Sequence, residues 1–405
     1  MINYERQYYL DRLEASKNNG LIKILTGIRQ CGKSYILMKF FEKLRAIHPT
    51  DQVIEYKLAG SDKKLISEEN NLEINIRNRI NDKDDFYIYI DEVQMYPDFV
   101  QMLISIKTDF PNVDFYVTGS NSKMLSSDIV RDLGTNGDEI KVFPLSLNEF
   151  ENFCQLSGKI DLSGGIINKY YEFGGMPSVV LNPMGKNSTF KMIKETIIEN
   201  DILSRHDDVD RKILDRLLRY ISSTYGCSFS IQNIIDEFAD NNISIKDEDI
   251  SNYLSYLEDA FMIYPIYTIS NGLDTLDQNE PKKYYVIDHS LANYIGETVY
   301  NTGYMIENIV YIDLLRRDIL NISIGRKTDN SKEIDFTYKT ESIRHLVQVT
   351  EKMPIGSKAE QREFDSFIGK TGSKLLITAE EYHGRRAEEF PDVKIVLLED
   401  FLHGY

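Results

Sequence analysis

The sequence predicts an α/β fold in which a parallel sheet carries a phosphate-binding loop, and three observations support this prediction. First, residues 27–34 match the pattern G-x-x-x-x-G-K-S/T, whose glycine-rich backbone binds phosphate groups. Second, short apolar runs end in polar residues, as buried parallel strands do. Third, apolar residues recur at helical spacing between these runs. Strands that alternate with helices favour a parallel sheet with helices on its faces.

The phosphate loop has the flanking elements that its function requires. Residues 21–26 predict a buried strand before it, and residues 35–46 predict a helix after it. Amide groups of such a loop, with the N-terminus of the helix behind them, form a concave anion site. A chance glycine-rich turn would need neither flanking element. The residues predicted to bind the nucleotide in this loop are Gly27, Ile28, Arg29, Gln30, Cys31, Gly32, Lys33, Ser34 and Tyr35.

Two side chains of the loop have individual roles in the predicted binding of ATP and Mg²⁺. Lys33 is expected to reach the β- and γ-phosphates and to act in catalysis, and the Ser34 hydroxyl is expected to ligand Mg²⁺. Arg29, Gln30 and Cys31 occupy free positions of the motif, so their side chains are expected to adjust the site rather than create it.

A second motif is the apolar run at residues 86–90, which predicts a central strand that ends in Asp91 and Glu92. Ligands of open α/β sheets bind at the carboxyl ends of strands, where the phosphate loop also lies. Asp91 is therefore expected to hold Mg²⁺ through water, and Glu92 to orient and polarise the attacking water. Alone, these acids would be ordinary residues that open a loop. Paired with the phosphate loop, they predict a site for nucleotide hydrolysis.

Further strands complete the predicted sheet at residues 53–58, 113–117 and 141–145. The second of these ends in polar residues, and Ser120 or Asn121 could hydrogen-bond the γ-phosphate or the catalytic water. An ordinary polar strand end is an equally good interpretation of either residue. Asn121 is nevertheless the third candidate catalytic residue, with Lys33 and Glu92. Pro144 places the last strand at an edge or at a strand end.

Composition limits the class of protein and its partners. A chain of 405 residues predicts roughly two to four domains. No apolar run approaches the roughly 18 residues of a membrane span, and the amino-terminal segment lacks the layout of a signal peptide, so a cytoplasmic location without a membrane is expected. Three widely spaced cysteines imply neither disulfides nor zinc. A net charge of −17 disfavours DNA as a partner unless a local basic patch exists.

After residue 150 the periodicity changes, and further domains are predicted. The predicted division is a P-loop core at 1–150, a helical lid at 151–212, a winged-helix-like unit at 213–295 and a small α/β domain at 296–405. In the lid, the Gly-Gly-Met-Pro turn at residues 174–177 interrupts a helix. The second helix of the winged-helix-like unit, near residues 247–260, begins with acidic residues that repel phosphates. A protein contact or a structural role is therefore predicted for that unit.

Taken together, these stretches resemble the AAA-type ATPases of bacteria and archaea that carry an AAA-14 core followed by a DUF4143 domain. The resemblance spans nearly the whole chain through short matches at residues 27–30, 90–94, 118–120, 144–146, 174–177, 307–311 and 333–336. It implies an α/β fold with an AAA-type P-loop sheet as its core. It also implies that Gly175 and Pro177 lie near the adenine and belong to the cofactor-binding residues.

The chain departs from the family pattern between residues 127 and 141. The family shows an arginine-containing run there, and this chain has Gly-Thr-Asn-Gly-Asp at residues 134–138. An arginine at that place could act as a charge-stabilising finger, and Arg131 or Arg205 are the remaining candidates. Loss of such a finger costs roughly 10³-fold or more in turnover, so slow hydrolysis is expected.

A second departure concerns residues 296–405, which resemble a PD-(D/E)xK nuclease fold. Glu307 and Asp335 fit the first two acidic positions of that site. Gln348, Val349 and Thr350 stand where a carboxylate and a lysine are needed to bind metal and to position water. The domain is therefore expected to be a degenerate nuclease fold that serves structure or partner binding. Ordinary surface or capping acids remain an alternative interpretation of Glu307 and Asp335.

Two functional hypotheses follow from the sequence. The leading one is an ATP-binding, Mg-dependent ATPase that acts as a nucleotide-controlled switch, in which hydrolysis changes contacts of the carboxyl-terminal domains with a protein partner or with another copy of the chain. The alternative is an ATP-regulated DNA-binding or DNA-processing protein. Residues 348–350, the acidic helix and the net charge of −17 all oppose the alternative.

Overall fold

The computed structural model describes residues 4–66, 71–119, 136–241, 243–269, 282–297, 301–319, 321–325 and 332–404. These residues form two compact units. The first consists of the described parts of Met1–Pro144, Met192–Arg205 and Asp259–Phe261, and the second of those of Leu145–Lys191, His206–Glu258 and Met262–Tyr405. The candidate residues Ser120, Asn121 and Arg131 lie outside the described residues.

The first unit is built around a five-stranded sheet. Its strands are β1 (Ile22–Thr26), β2 (Val53–Lys57), β3 (Phe86–Asp91), β4 (Val113–Thr118) and β5 (Gly137–Lys141). They follow the order β2-β3-β4-β1-β5, and every neighbouring pair is parallel. β1 and β4 are buried along their whole length, as continuous apolar strands of a covered sheet are. Because β4 lies between β1 and β3, the carboxyl ends of these three strands meet at one edge.

Helices α1 (Gln7–Ser16), α2 (Lys33–Ile47), α3 (Leu72–Arg77) and α4 (Phe99–Asp109) belong to the first unit. The buried apolar residues of α2 are those whose spacing predicted the helix, namely Ile36, Leu37, Phe40, Phe41 and Leu44. Arg6, just before α1, donates hydrogen bonds to the carbonyl oxygens of Cys31 at 2.8 Å and Phe143 at 2.9 Å. This buried arginine therefore joins the phosphate loop to the segment after β5.

The last strand of this sheet differs from its prediction. The sequence placed it at residues 141–145, but β5 covers Gly137–Lys141 and pairs with β1 from Ile22 to Thr26. The residues after it, including Val142, Phe143 and Leu145, are buried without being part of the strand. Apolar character reports burial, whereas an edge strand needs only backbone hydrogen bonds on one side, so a polar sequence can form it.

The remaining helices follow residue 145. They are α5 (Leu147–Ser157), α6 (Ile166–Phe173), α7 (Pro177–Val180), α8 (Lys186–Ile197), α9 (Arg211–Thr224), α10 (Ile231–Asp240), α11 (Asp247–Asp259), α12 (His289–Gly296), α13 (Thr302–Arg316), α14 (Lys358–Asp365) and α15 (Leu398–Leu402). A π-helical segment, Ile198–Leu203, continues α8. None of the helices in the described part of the chain is long and apolar enough to cross a membrane.

The second unit contains an eight-stranded mixed sheet. Its strands are β6 (Ser228–Phe229), β7 (Ile263–Ile269), β8 (Lys282–Val286), β9 (Ser323–Gly325), β10 (Ile334–Thr340), β11 (Ile343–Thr350), β12 (Ser373–Thr378) and β13 (Val393–Leu397). Their order is β13-β12-β11-β10-β9-β7-β8-β6. A parallel pairing of β7 with β9 joins the strands of residues 228–286 to those of residues 323–397. Strands from the two predicted carboxyl-terminal domains therefore share one sheet.

Candidate nucleotide-binding site

The phosphate loop connects β1 to α2, and its backbone conformation requires glycine at two positions. Gly32, the residue before α2, has φ +105°, and Gly27 has φ +131°, both in the region that L-residues rarely adopt. A Cβ atom on Gly27 would collide with the carbonyl oxygen of Val142. The first glycine of the motif is therefore fixed both by its backbone angle and by the close approach of the segment after β5.

Lys33, the lysine of the motif, is folded onto the loop that precedes it. Its side chain is buried, and Nζ donates hydrogen bonds to the carbonyl oxygens of Gly27 at 2.7 Å and Ile28 at 3.0 Å. The ammonium group therefore lies inside the loop that is predicted to surround the phosphates. Cys31 is buried in the same loop, and its Sγ lies 4.0 Å from Lys33 Nζ.

Ser34 and Asp91, the two predicted Mg²⁺ ligands, lie next to each other. The Ser34 hydroxyl donates a hydrogen bond to Asp91 Oδ1 at 2.8 Å. The hydroxyl of Thr118, at the end of β4, donates to the same oxygen at 2.6 Å. A hydroxyl and a carboxylate are hard oxygen donors of the type that Mg²⁺ prefers, and such sites use one or two carboxylates beside phosphate oxygens and water. The donor set therefore fits Mg²⁺ bound together with a nucleotide.

Glu92 follows Asp91 and adopts a left-handed backbone conformation with φ 56°. Such a conformation is uncommon for a residue other than glycine and often accompanies a functional site. Its amide donates a hydrogen bond to the Thr118 hydroxyl at 3.0 Å. On the side chain, Gln94 Nε2 donates to Oε2, and Arg29 Nη1 lies 3.8 Å from Oε1. Both carboxylate oxygens are therefore in contact with side chains that donate hydrogen bonds or carry positive charge.

Arg29 also forms a two-point ion pair with Asp201, a contact that sequence reasoning missed. Arg29 Nε donates to Asp201 Oδ2 at 2.6 Å, and Nη2 donates to Oδ1 at 2.8 Å. Asp201 is buried and lies in the π-helical segment Ile198–Leu203. Burial raises the pKa of the Asp201 carboxyl, and the hydrogen bonds from Arg29 oppose that shift. Although burial acts against it, Asp201 raises the pKa of Arg29, so the guanidinium stays charged.

Arg29 and Glu92 border a cavity of about 610 Å³ within the first unit. Its lining residues are Arg29, Ala59, Glu92, Gln94, Met95, Asn200, Ser204 and Arg205. Arg205 Nη2 lies 3.9 Å from Asp201 Oδ1, and burial lowers the pKa of Arg205. The cavity thus combines the predicted water-orienting carboxylate with two arginines.

The other predicted site residues are placed as follows. Tyr35, in the first turn of α2, accepts a hydrogen bond from the Tyr4 amide at 3.2 Å. Gly175 belongs to the second unit, where its amide donates to Asp288 Oδ2 at 2.7 Å. Pro177 begins α7 in that unit, at the position where proline best fits a helix. A role of Gly175 and Pro177 near the adenine stays a prediction.

Sequence reasoning did not assign roles to Thr118 and Asp201, for different reasons. Thr118 had a usable signal, because it ends an apolar strand and a residue at that place meets the ends of neighbouring parallel strands. Asp201 had none, because it is one of several acidic residues in a helical stretch and its partner Arg29 lies 172 residues earlier.

A parallel sheet, a strand–loop–helix phosphate site and an Asp-Glu pair at the end of a nearby strand define the first unit as a P-loop domain. Residues 19–151 match the domain model AAA_14, described as an AAA domain. The fold is therefore an α/β P-loop fold of AAA type, as predicted. Residues 165–300 match the model of a domain of unknown function, DUF8612.

The expectation of a DUF4143 domain was wrong, because the domain model that matches beyond the AAA domain is DUF8612. The matches that suggested DUF4143 were runs of a few residues, among them residues 307–311 within α13 and residues 333–336 at the start of β10. Runs this short carry a real risk of a false match, so they did not distinguish between families.

Two relatives are similar over most of their length. An uncharacterized protein of Haemophilus influenzae is 28% identical over 406 residues, which cover 98% of each chain. An uncharacterized protein of Methanocaldococcus jannaschii is 28% identical over 342 residues, which cover 81% of this chain and 74% of that protein. Their names assign no activity.

Solved structures show more distant likenesses. The Walker-type ATPase of Pyrococcus abyssi is 16% identical with a TM-score of 0.49, covering 72% of this chain and 96% of that one. Cdc6p of Pyrobaculum aerophilum is 11% identical with a TM-score of 0.36, covering 77% of this chain and 96% of that one. Both TM-scores lie below 0.5, so the fold assignment depends on the sheet, the loop and the AAA domain model.

Proposed function

We propose that the first unit binds ATP with Mg²⁺ and hydrolyses it, and that the nucleotide controls contacts of the rest of the chain with a partner. The observation that carries this proposal is the 2.8 Å hydrogen bond between Ser34 and Asp91. It brings the hydroxyl of the phosphate loop and the carboxylate of β3 to one point, beside Glu92. These two groups would hold Mg²⁺, which would neutralise charge on the phosphate oxygens.

Binding of the triphosphate would draw on the loop amides and on Lys33. The Lys33 ammonium now donates to the carbonyl oxygens of Gly27 and Ile28. A phosphate oxygen is a charged acceptor and forms a stronger hydrogen bond with an ammonium group than a neutral carbonyl does. Lys33 would therefore exchange at least one carbonyl contact for the β- or γ-phosphate, with little movement of the buried side chain.

Hydrolysis would depend on Glu92 as the residue that orients the attacking water and accepts its proton. Gln94 and Arg29 contact the two oxygens of this carboxylate. A water molecule that donates a hydrogen bond to Glu92 has to replace or share one of these contacts. This arrangement supports a restrained, slow hydrolysis, in keeping with the expectation from the sequence.

Arg205 is the residue that we assign to stabilise charge on the γ-phosphate from within the same chain. It lines the cavity that contains Glu92 and belongs to the same unit as the phosphate loop. Arg29 is held by two short hydrogen bonds to Asp201, whereas Arg205 meets Asp201 only at 3.9 Å. Arg205 can therefore turn toward a phosphate at lower cost.

The segment Met192–Arg205 supplies the link to the rest of the chain in this proposal. It belongs to the first unit, yet the residues before and after it in sequence belong to the second. It carries Asp201, Ser204 and Arg205 at the nucleotide cavity. π-Helical turns are rare and occur mainly at functional sites. A shift of Arg29 or Arg205 on ATP binding would therefore act directly on this segment.

The test compares ATP binding and phosphate release in the parent protein and in Glu92→Gln. We expect Glu92→Gln to bind Mg-ATP with unchanged affinity and to release phosphate about 10² to 10⁴ times more slowly, since glutamine cannot accept the proton of the attacking water. Glu42→Gln, which removes an exposed carboxylate of α2, serves as the matched control and should keep the parent rate. A parent rate in Glu92→Gln would contradict the assignment of Glu92.

A further inference from the structure

A second group of charged residues lies in the second unit, away from the phosphate loop in sequence. It surrounds a cavity of about 680 Å³, whose lining includes Lys283, Glu307, Glu333, Asp335, Gln348 and Lys352. Lys283 comes from β8, Glu307 from α13 and Asp335 from β10, and Glu333 stands two residues before Asp335. Elements distant in sequence thus bring three carboxylates and one lysine together.

The lysine contacts two of these carboxylates directly. Lys283 Nζ donates to Glu307 Oε1 at 3.1 Å and lies 3.0 Å from Glu333 Oε1. Its side chain is only 9% exposed. Although burial acts against it, the charges of Glu307, Asp335 and Glu333 raise the pKa of Lys283. The ammonium group is therefore a buried, charged cation with carboxylates as its partners.

Several polar atoms around this cation have other protein partners. Glu307 Oε1 also accepts a hydrogen bond from Tyr285, and Asp335 Oδ2 accepts one from the Val349 amide at 2.8 Å. Gln348 accepts a hydrogen bond from the Asp335 amide at 3.3 Å and donates to Glu363 at 2.8 Å. Gln348 is thus committed to protein partners through both ends of its amide.

We propose that Lys283 is a built-in cation, which fills the place where Glu307, Asp335 and Glu333 would otherwise hold a divalent metal ion. A buried carboxylate cluster needs positive charge, and either a metal ion or an ammonium group can supply it. Here the chain supplies it covalently from β8. In the described part of the chain no group of three or more His, Cys, Asp or Glu side chains could hold a metal ion.

Removing the Lys283 cation should create a site that binds a divalent metal ion. Lys283→Met keeps the length of the aliphatic side chain but removes the charge, which leaves the carboxylates without their counterion and opens space for a metal ion. We expect Lys283→Met, free of nucleotide, to bind one more Mn²⁺ than the parent in calorimetry, at least about 100-fold more tightly than any binding at this place in the parent. Adding Asp335→Asn should abolish that extra binding.

Two matched variants control for the loss of a charge in general. Lys352→Met removes another lysine from the same cavity, and Lys283→Arg keeps the charge at the centre; both should bind Mn²⁺ as the parent does. Weak Mn²⁺ binding by Ser34 and Asp91 is common to all variants and cancels in the comparison. A folded Lys283→Met with no additional Mn²⁺ would overturn the proposal.

A parallel measurement decides the question if Lys283→Met does not fold. Mn²⁺ should then raise the yield of folded Lys283→Met, because an ion that binds only the native state stabilises it. In the parent background, Glu307→Gln should leave Mn²⁺ binding unchanged, since the ammonium group already fills the site. A loss of Mn²⁺ binding in Glu307→Gln would show that the parent holds a metal ion there, and Lys283 would not replace one.

Discussion

Replacing Asp201 by asparagine tests whether the ion pair with Arg29 holds the π-helical segment to the nucleotide site. Asparagine has nearly the same shape, but it carries no charge, and its NH₂ group cannot accept a hydrogen bond from the guanidinium. The two hydrogen bonds from Arg29 measure 2.6 and 2.8 Å. In the variant one of them is lost, and the other has an uncharged acceptor. The Arg29 cation loses this countercharge and keeps the Glu92 carboxylate, which lies 3.8 Å away.

The expected loss is about 2 kcal/mol in the free energy of unfolding. Removing one partner of a fully buried pair costs about 3–5 kcal/mol. Two features of this pair reduce that cost. The Arg29 side chain is 20% exposed and regains some hydration, and the burial that raises the pKa of Asp201 also means that its charge was costly to bury. The same change should slow ATP hydrolysis, because Arg29 and its contact with Glu92 lose their support.

The assay is urea unfolding followed by circular dichroism, with Asp215→Asn as the matched control. Asp215 accepts a hydrogen bond from Arg211 at 2.7 Å, but its side chain is 32% exposed and the pair is four residues apart on α9. Such helix-surface pairs contribute about 0.3–0.5 kcal/mol. If Asp201→Asn cost no more than this control, the pair would not hold the segment. A double-mutant cycle with Arg29→Gln should give a coupling energy above about 1 kcal/mol.

Three further predictions concern the backbone of the loop and the carboxyl-terminal domain. Gly27→Ala should abolish nucleotide binding in an equilibrium titration and destabilise the protein by about 1–3 kcal/mol, because Gly27 has a positive φ and a Cβ there collides with Val142. Gly20→Ala is the control and should keep binding, since nothing lies near a Cβ at that position. Asp335→Asn should gain stability relative to the parent as the pH rises above about 4, the usual pKa of an aspartate. Burial, together with Glu307, raises the folded-state pKa of Asp335, so the unfolded chain releases its proton first and the parent alone loses stability. Urea titrations at each pH measure this, and an unchanged difference between the two proteins would refute the assignment. The carboxyl-terminal domain should not cleave supercoiled or linear DNA with Mg²⁺ or Mn²⁺, and cleavage that disappears in Asp335→Ala would contradict this.

The parts of the fold that the sequence predicts well are those where one short stretch determines the structure. The phosphate loop, α2 and β3 each depend on local spacing, and the structure places all three as expected. The edge strand β5 was misplaced because its polar residues give no apolar pattern, while the buried residues after it do. Backbone hydrogen bonding, which defines a strand, leaves little trace in such a sequence.

The parts of the site that the sequence does not predict are pairs formed across long separations. Asp201 reaches Arg29 from a segment 172 residues later. Lys283 lies on β8, so a search for a lysine two residues after a carboxylate in β11 could not find it. In both cases the residue type is common and its local pattern ordinary. Only the three-dimensional arrangement brings the charges together.

The most direct test of the central claim is a calorimetric titration of the protein with Mg-ATP, comparing the parent with Lys33→Ala. Lys33 is the cation of the phosphate loop, and its Nζ lies on the loop carbonyls at 2.7 and 3.0 Å. Lys39→Ala, which removes a partly exposed lysine of the same helix, is the control for charge. The parent and Lys39→Ala should bind one Mg-ATP with equal affinity, and Lys33→Ala should show no binding. Undiminished binding by Lys33→Ala would contradict the assignment of residues 27–34 as the nucleotide site.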